Sequence, residues 1–592
     1  MDNEATLEAC VRKNNPYGIF FVGSIRKLDT KCERRLRKMS GIIRSKPDWI
    51  TNISNPNTRT NWVTEARSQG LTDIETGYVL EELAYYATLH IPDSNVILSA
   101  VEQVWLSDTL VEGGTLEQLK RWSMRLEGES KGWCLESNCV VRNIVDPSMY
   151  PLSYKSSSFV GTRIKSPEAA LEIQSFGRFP GNIDEWDREM KSAFPWSPIS
   201  RRYPFSVAPN TRTASQEFCW LPSEFLISAD GQVEIKSYIN NLNPVKYASL
   251  YPVIAEVFSK CVPLLENVVT DVVYPRKSRV IPNCSNWLVT DESEPRDYRA
   301  PDYNERFDAW QARHRFIEPQ PEPFELPERP QIPFSLRGRQ LQAVVRMTNI
   351  DLTPETPVYN DDRWCLEAIS QERIVAIGVC CYDVDNITDM HLEFRELVDD
   401  DIEHEQCDER GLDLAYGIFD NVRNGRSGRR AHAGDNSSDN GEDEDEDEEM
   451  HFNSDSIDIS QEIGQVKLQN GRCIVFPNTY QRRFSQLQLV NKNVPGHCKL
   501  LIFYFVIPTD PIVSTEIVPP QQQDWWIKDV FQVEPLVKMP TLVLDNIIKY
   551  VDFPMSLSAA KEIRAELEKE RRENSDSSGL VFFTPTFYYN ST

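Results

Sequence analysis

No part of this 592-residue sequence is apolar for long enough to cross a bilayer. The longest apolar runs, Ile374–Tyr382 and Leu500–Ile507, each fall short of half the roughly 20 residues that a spanning helix needs, so no membrane partner is expected. Positive charge is short as well: 64 Lys and Arg face 90 Asp and Glu, a net charge of −26. Ten of those acids crowd into residues 435–449 without a base among them, and the remainder is still acidic. A phosphate backbone calls for a positive footprint, so no nucleic acid is expected as a partner. Thirteen cysteines, an odd number, make no compact spacing framework. That excludes a disulfide scaffold and fits reduced thiols in an intracellular protein, cytoplasmic or nuclear. The acidic start, Met1-Asp2-Asn3-Glu4, has no h-region and gives no sign of a secretory signal. Cys134-x4-Cys139 has the look of half a zinc site, and no second pair accompanies it. Glycine-rich phosphate loops, Gly-x-Ser-x-Gly elbows and His-Glu-x-x-His helices are all missing.

What is there supports a folded body, since 40% of residues are apolar and 10% aromatic. At this length about two to four domains are expected. Residues 1–140 read as a helical N-terminal region. Thr72-x-x-Glu75 and Thr115-x-x-Gln118 are capping boxes ahead of apolar stripes at helical spacing. Residues 141–290 form an α+β region leading into the core. In it, Phe218–Ile227 and Gln232–Ile235 flank the hairpin signal Asp230-Gly231, and a long amphipathic helix spans Val245–Leu265. The proline-rich residues 291–334 read as a surface connection, because proline fixes φ and removes a donor. Residues 335–555 carry short β-rich runs: Leu341–Ile350, Ile374–Tyr382, Cys473–Phe476 and Leu500–Ile507. Several short strands between turns point to a jelly roll. An arginine cluster (Arg423, Arg426, Arg429, Arg430) and eight consecutive acids, Glu442–Glu449, mark a disordered acidic insertion at 421–456. A C-terminal helix and tail (556–592) close the chain, the helix near Ser558–Asn574 carrying Ile563 and Leu567 on a narrow stripe that packs on the barrel surface.

Two segments carry the chemistry. One is Trp364-Cys365-Leu366-Glu367, the other Phe476-Pro477-Asn478-Thr479-Tyr480-Gln481-Arg482-Arg483. An iron(II) facial triad uses His-x-Glu or His-x-Asp on one strand and a distal His. Here Cys365 stands in the first slot, Glu367 in the second and Arg482 in the third. Residues i and i+2 of a strand share a face, so an extended 363–368 points Cys365 and Glu367 into one cavity. The strand Gly471–Asn478 delivers Gln481 and Arg482 to the same mouth if the sheet closes as a double-stranded β-helix. Lys499, at the head of the next apolar strand, is the candidate cation for a 2-oxoacid carboxylate. Trp364, Tyr382, Asn478, Gln481, Arg483 and His497 are the expected pocket neighbours. His391, His404 and His497 are the histidines available to rescue a metal site.

The chain resembles the fungal family of unknown function numbered forty-two forty-six. The likeness rests on Val145–Leu152, Phe218–Pro222, Lys236–Pro244, Ser335–Gly338 and Asn349–Pro354. It continues through Tyr382-x-x-Asp385-Asn386-Ile387-Thr388, Pro495–His497, Ser514-Thr515 and Val518–Gln522, and so covers most of 140–570. The family pattern, Trp-His-x-Glu-Gly and Gln-His-Arg-Val, resembles the triad of a 2-oxoglutarate-dependent oxygenase. The resemblance implies a jelly-roll (cupin-like) core, with Fe(II) and 2-oxoglutarate as cofactors of an intact member. Residue by residue, Cys365 replaces the first His, Glu367 stays, Ala368 replaces Gly, and Arg482 replaces the distal His. Cys498 takes the place of an Arg ahead of the surviving Lys499. A guanidinium has no free lone pair and stays protonated, so Arg482 is expected to pair with Glu367 and fill the metal's place. The leading expectation is therefore a degenerate oxygenase-like α+β protein, no longer an enzyme and without a cofactor. Its pocket would serve a small molecule or a protein partner. The alternatives are an active oxygenase with an altered metal site, and an acidic scaffold that binds basic partners through Glu442–Glu449.

Overall fold

The computed structural model describes residues 26–579 and 586–587, except 130–139, 155, 161–162, 173–176, 179–216, 285–286, 362, 368–369, 397, 400–401, 403–408, 419–456, 459–460, 535 and 550–553. The acidic insertion expected at 421–456, the Cys134–Cys139 pair and His404 lie outside the described residues.

The six longest helices among the described residues are α1 (Lys31–Arg44), α2 (Pro56–Ser68), α3 (Asp73–Thr88), α4 (Gly113–Glu129), α5 (Tyr251–Val273) and α6 (Leu557–Gly579). The strands that matter here are β1 (Ile97–Leu98), β2 (Trp105–Ser107), β3 (Val141–Val145), β4 (Ser223–Ile227), β5 (Val233–Ile235) and β6 (Gln340–Leu352). They continue with β7 (Ile374–Asp385), β8 (Met390–Glu396), β9 (Gln461–Leu468), β10 (Cys473–Pro477), β11 (Tyr480–Phe484) and β12 (Gly496–Val506). The main sheet runs β5-β4-β6-β12-β7-β10-β2-β1, with β3 added to β6, and its pairings are antiparallel. A smaller antiparallel sheet, β9-β8-β11, stands against one of its faces. The fold is thus a mixture of helix with antiparallel sheet.

Alternation along β12 explains the layering. Phe503 and Phe505 join α5 in one core, where Phe258 stacks on Phe225 of β4 with ring centroids 4.1 Å apart. Leu500, Ile502 and Tyr504 point the other way, into a second core shared with Leu392 and Phe394 of β8 and Phe476 of β10. Both faces of β12 are covered, which is why it reads as an unbroken apolar run rather than as alternation.

Local signals fall into place, with shifts. Thr72 caps α3 in a capping box with Glu75. Thr115 is no cap: α4 begins at Gly113, and the Thr115 hydroxyl reaches Glu256 at 2.7 Å. The Asp230-Gly231 hairpin joins β4 to β5, with Gly231 at φ +90°, a region glycine enters without steric cost. The amphipathic helix lies further along than its periodicity suggested, at Tyr251–Val273.

Two regions depart from expectation. The N-terminal region is not all helix, since β1 and β2 complete an edge of the main sheet. Its helices are tied down by Arg279, wholly buried, which binds Glu33 of α1 at 2.6 Å, Glu82 of α3 at 2.9 Å, and Glu102. The proline-rich connection contains a helix, Tyr303–Ala312, and Arg329 anchors its far end to Asn267 of α5 at 2.7 Å and to Asp271.

Candidate functional site

The two segments singled out in the sequence do meet. Cys365 and Arg482 exchange both backbone hydrogen bonds, N to O, at 2.9 and 3.0 Å. Directly opposed residues of an antiparallel pair share a face. On its other side Arg482 is opposite Phe394, so that shared face is the one turned toward the core between the sheets. Glu367, two residues on from Cys365, is turned the same way, and the Arg482 guanidinium closes on its Oε1.

Two further groups from the main sheet hold the second carboxylate oxygen. Arg346 of β6 reaches Oε2 with Nη1 at 2.9 Å, and Tyr504 of β12 donates its hydroxyl to the same atom. Arg346 also lies over Trp220 and Tyr504, 5.0 and 5.2 Å from the ring centroids. The peptide carbonyl of Glu367 accepts from Arg571 of α6 at 3.1 Å. Nothing in the strand spacing pointed to these partners. A signal was nonetheless present, because Arg346 is the one charge inside the apolar run Leu341–Ile350.

The electrostatics follow from this crowd. Burial works against charge on Glu367, but Arg482 and Arg346 outweigh it and hold the carboxyl down at about 2. Burial pushes the Cys365 thiol up to about 11, Glu367 adding to the rise and Arg482 opposing it. Burial also raises the Tyr504 hydroxyl. The site at neutral pH is therefore a carboxylate, two guanidinium groups and a neutral thiol.

That donor set does not fit a facial-triad iron. A sulfur ligand must give up its proton on binding a metal, and burial and the neighbouring Glu367 both oppose charge on the Cys365 sulfur. Arg482 offers no lone pair. Both oxygens of Glu367 are engaged. Among the described residues no group of three or more His, Cys, Asp or Glu side chains is placed to hold a metal ion.

The remaining candidates are placed elsewhere. Lys499 alternates with Tyr504 along β12 and faces the helices, where it binds Glu127 of α4 at 3.0 Å and lies 3.9 Å from Asp383. It is on the opposite side of the main sheet from Glu367, so the structure does not bring it to the Cys365–Arg482 pair. His497 shares that helix-side face and binds Asp383 at 2.8 Å, and Tyr382 is buried in the core there. Gln481 and Arg483 flank Arg482 and so point to the other face of the small sheet, where Gln481 is wholly buried and Arg483 partly so. Arg483 pairs with Glu393 at 2.6 Å and lies 4.3 Å over Trp364, while Arg395 binds Gln481. Asn478 follows β10 and makes hydrogen bonds to Val375 O at 3.0 Å and Ile374 O at 3.2 Å. His391 is next to the core residues Leu392 and Met390 along β8 and faces outward. For Lys499, His497, Gln481, Arg483 and His391 the reason is the period of two along a strand.

A family model described as "Protein of unknown function (DUF4246)" matches residues 74–529. No curated protein matches the chain. Among solved structures, the chain is similar to one titled selenomethionine labeled Fe(II)/(alpha)ketoglutarate-dependent dioxygenase TqaL. The identity is 7% and the TM-score 0.19, with 48% of this chain and 66% of that chain covered. The likeness is too slight to bear on the chemistry.

Proposed function

The chain belongs to the DUF4246 family, whose function is unknown, and from that premise we propose that it is a degenerate oxygenase-like binding protein. In this reading the two facing antiparallel sheets are a double-stranded β-helix, the jelly roll of 2-oxoglutarate/Fe(II) oxygenases. An internal ion pair has taken the metal's place, and the mouth now serves ligand or partner binding. The observation that carries the reading is the Arg482 guanidinium seated on Glu367. A second positive charge, Arg346, sits on the same carboxylate. At an effective dielectric near 20, a divalent ion a few ångströms from one such charge is opposed by several kcal/mol. The nine free cysteines among the described residues support an intracellular setting. No described helix is long and apolar enough to cross a membrane.

The test is metal binding by the full-length chain. Titrating the purified protein with iron(II) by calorimetry is expected to show no stoichiometric binding, and added 2-oxoglutarate to release no succinate. Replacing both residues, Cys365→His with Arg482→His, restores the triad types and is expected to create a stoichiometric iron site. Iron binding with turnover by the unaltered chain would overturn the degenerate reading in favour of an active oxygenase with an altered metal site. A doubly substituted protein that stays metal-free even when Arg346→Met also lifts the second positive charge from Glu367 would deny the oxygenase-like scaffold itself.

A further inference from the structure

Helix α6 lies outside the family match, which ends at residue 529. Its stripe of Ile563 and Leu567 predicts a helix packed by one face on the sheets, and that face reaches the core between them. Ala560 and Leu567 are wholly buried, Ile563 is partly so, and Arg564 and Arg571 extend the same stripe at helical spacing. Lys561, Glu562 and Glu566 on the other face are exposed. Two anchors secure the stripe. Arg564 binds Asp146 at 3.1 Å, and Arg571 reaches past Glu367 to the carboxylate of Glu372.

The surroundings of Arg571 have the parts of a receptor for a flat cation. Glu372 has no exposed surface, and Trp220 N already donates to its Oε1 at 3.0 Å. The Trp220 ring lies under the guanidinium, 3.8 Å from Cζ to the ring centroid. The Glu367 carbonyl accepts from Nη1 at 3.1 Å. An aromatic face, a buried carboxylate and a carbonyl converge on one planar group, a geometry that suits a guanidinium fork better than an ammonium.

We propose that Trp220, Glu372 and the Glu367 carbonyl form a guanidinium-binding site that Arg571 fills in cis. A guanidinium-bearing ligand competes for it when α6 lifts. The site does not depend on whether the neighbouring metal position is lost, so its failure and that of the oxygenase-like reading are separate results.

Chemical rescue in the full-length chain tests it. Arg571→Ala removes the cis occupant and leaves Glu372 buried without that charge, which lowers the thermal midpoint. Ethylguanidinium is expected to raise the midpoint of Arg571→Ala well beyond its effect on the unaltered chain, and equimolar ethylammonium is expected not to. At about ten times its dissociation constant the probe multiplies the folded-to-unfolded ratio roughly elevenfold. Adding Glu372→Gln to Arg571→Ala should abolish the rescue. Equal responses of the two chains, equal responses to the two cations, or rescue that survives Glu372→Gln would each overturn the site. Should Arg571→Ala fail to fold, the same competition can be read in the unaltered chain. There ethylguanidinium is expected to speed amide exchange across residues 557–571 relative to ethylammonium, and unchanged exchange would overturn the proposal.

Discussion

Strand β12 supplies two unlike polar sites, one on each face. Tyr504 reaches the core between the sheets and touches a carboxylate gripped by Arg482 and Arg346. Five residues earlier Lys499 reaches the helix side, where Glu127, Asp383, His497 and Lys120 share a half-wet cluster. The first site uses arginines, whose forks fit a carboxylate in a dry setting; the second uses lysines and a histidine beside partial solvent. The contrast teaches that nearness along the chain says little about which residues can act together. One step of one residue moves a side chain across the whole sheet.

The largest effect expected from this contrast is on stability. Glu367→Gln leaves Arg482, almost fully buried, and Arg346 without their anion. Stranding a buried charge costs about 3–5 kcal/mol, measured as a lower urea midpoint at unchanged slope. Glu127→Gln on the helix side retains Ser123 and Asn349 as partners and should cost less, about 1–3 kcal/mol. If the two substitutions cost the same, the distinction between a dry and a half-wet site fails.

Acid should separate the two faces by sign. The folded carboxyl of Glu367 sits at about 2, below its ordinary value near 4.5. Its contribution is therefore complete above about pH 4.5 and is lost as pH falls toward 2. A displacement of this size corresponds to roughly 3 kcal/mol. Asp351, paired across from His497 on the helix side, is raised instead, by burial first and then by Glu127. Its contribution is present below the unfolded value and is lost as pH rises through the folded one. Urea titrations between pH 2 and 7 should show Glu367→Gln converging on the unaltered chain toward low pH. Asp351→Asn should gain on it as pH rises. Parallel curves would deny both assignments.

How far these sites were legible follows from the same geometry. The meeting of residues 363–368 with 480–484 was readable because the residue types implied a pair of strands, and Cys365 and Arg482 do exchange backbone bonds. Spacing alone places Lys499 in that pocket, but the alternation along β12 turns it to the helix side, onto Glu127. Arg279 and its three glutamates come from four separate stretches of chain, and no local pattern announces them. Arg571 was hidden in a charged helix whose only apolar cue, Ile563 and Leu567, was too narrow to show that it enters the core. The acidic run at 442–449, the clearest feature of composition, lies outside the described residues.

A smaller effect is expected from Lys499→Met. Glu127 keeps the hydroxyl of Ser123 at 2.6 Å and the amide of Asn349 at 2.7 Å, so one charged partner of three is lost. The cost should be about 1–2 kcal/mol, again from urea unfolding. A loss as large as that of Glu367→Gln would mean that Lys499 carries a role its position does not explain.

The finest measurement reads the shared face directly, through the Cys365 thiol. Alkylation proceeds through the thiolate, and a thiol at about 11 supplies roughly one part in a thousand at pH 8. Labelling of Cys365 by iodoacetamide, followed by mass spectrometry, should therefore be slow and should quicken about tenfold per pH unit. Glu367 raises this thiol and Arg482 lowers it. Glu367→Gln should thus speed labelling at fixed pH, and Arg482→Met should slow it further. Opposite signs from two substitutions around one atom are hard to obtain by loosening the fold, which would speed both. If Glu367→Gln leaves the rate unchanged, the thiol does not face the carboxylate, and the pairing that puts Cys365, Glu367 and Arg482 on one side of their strands is wrong.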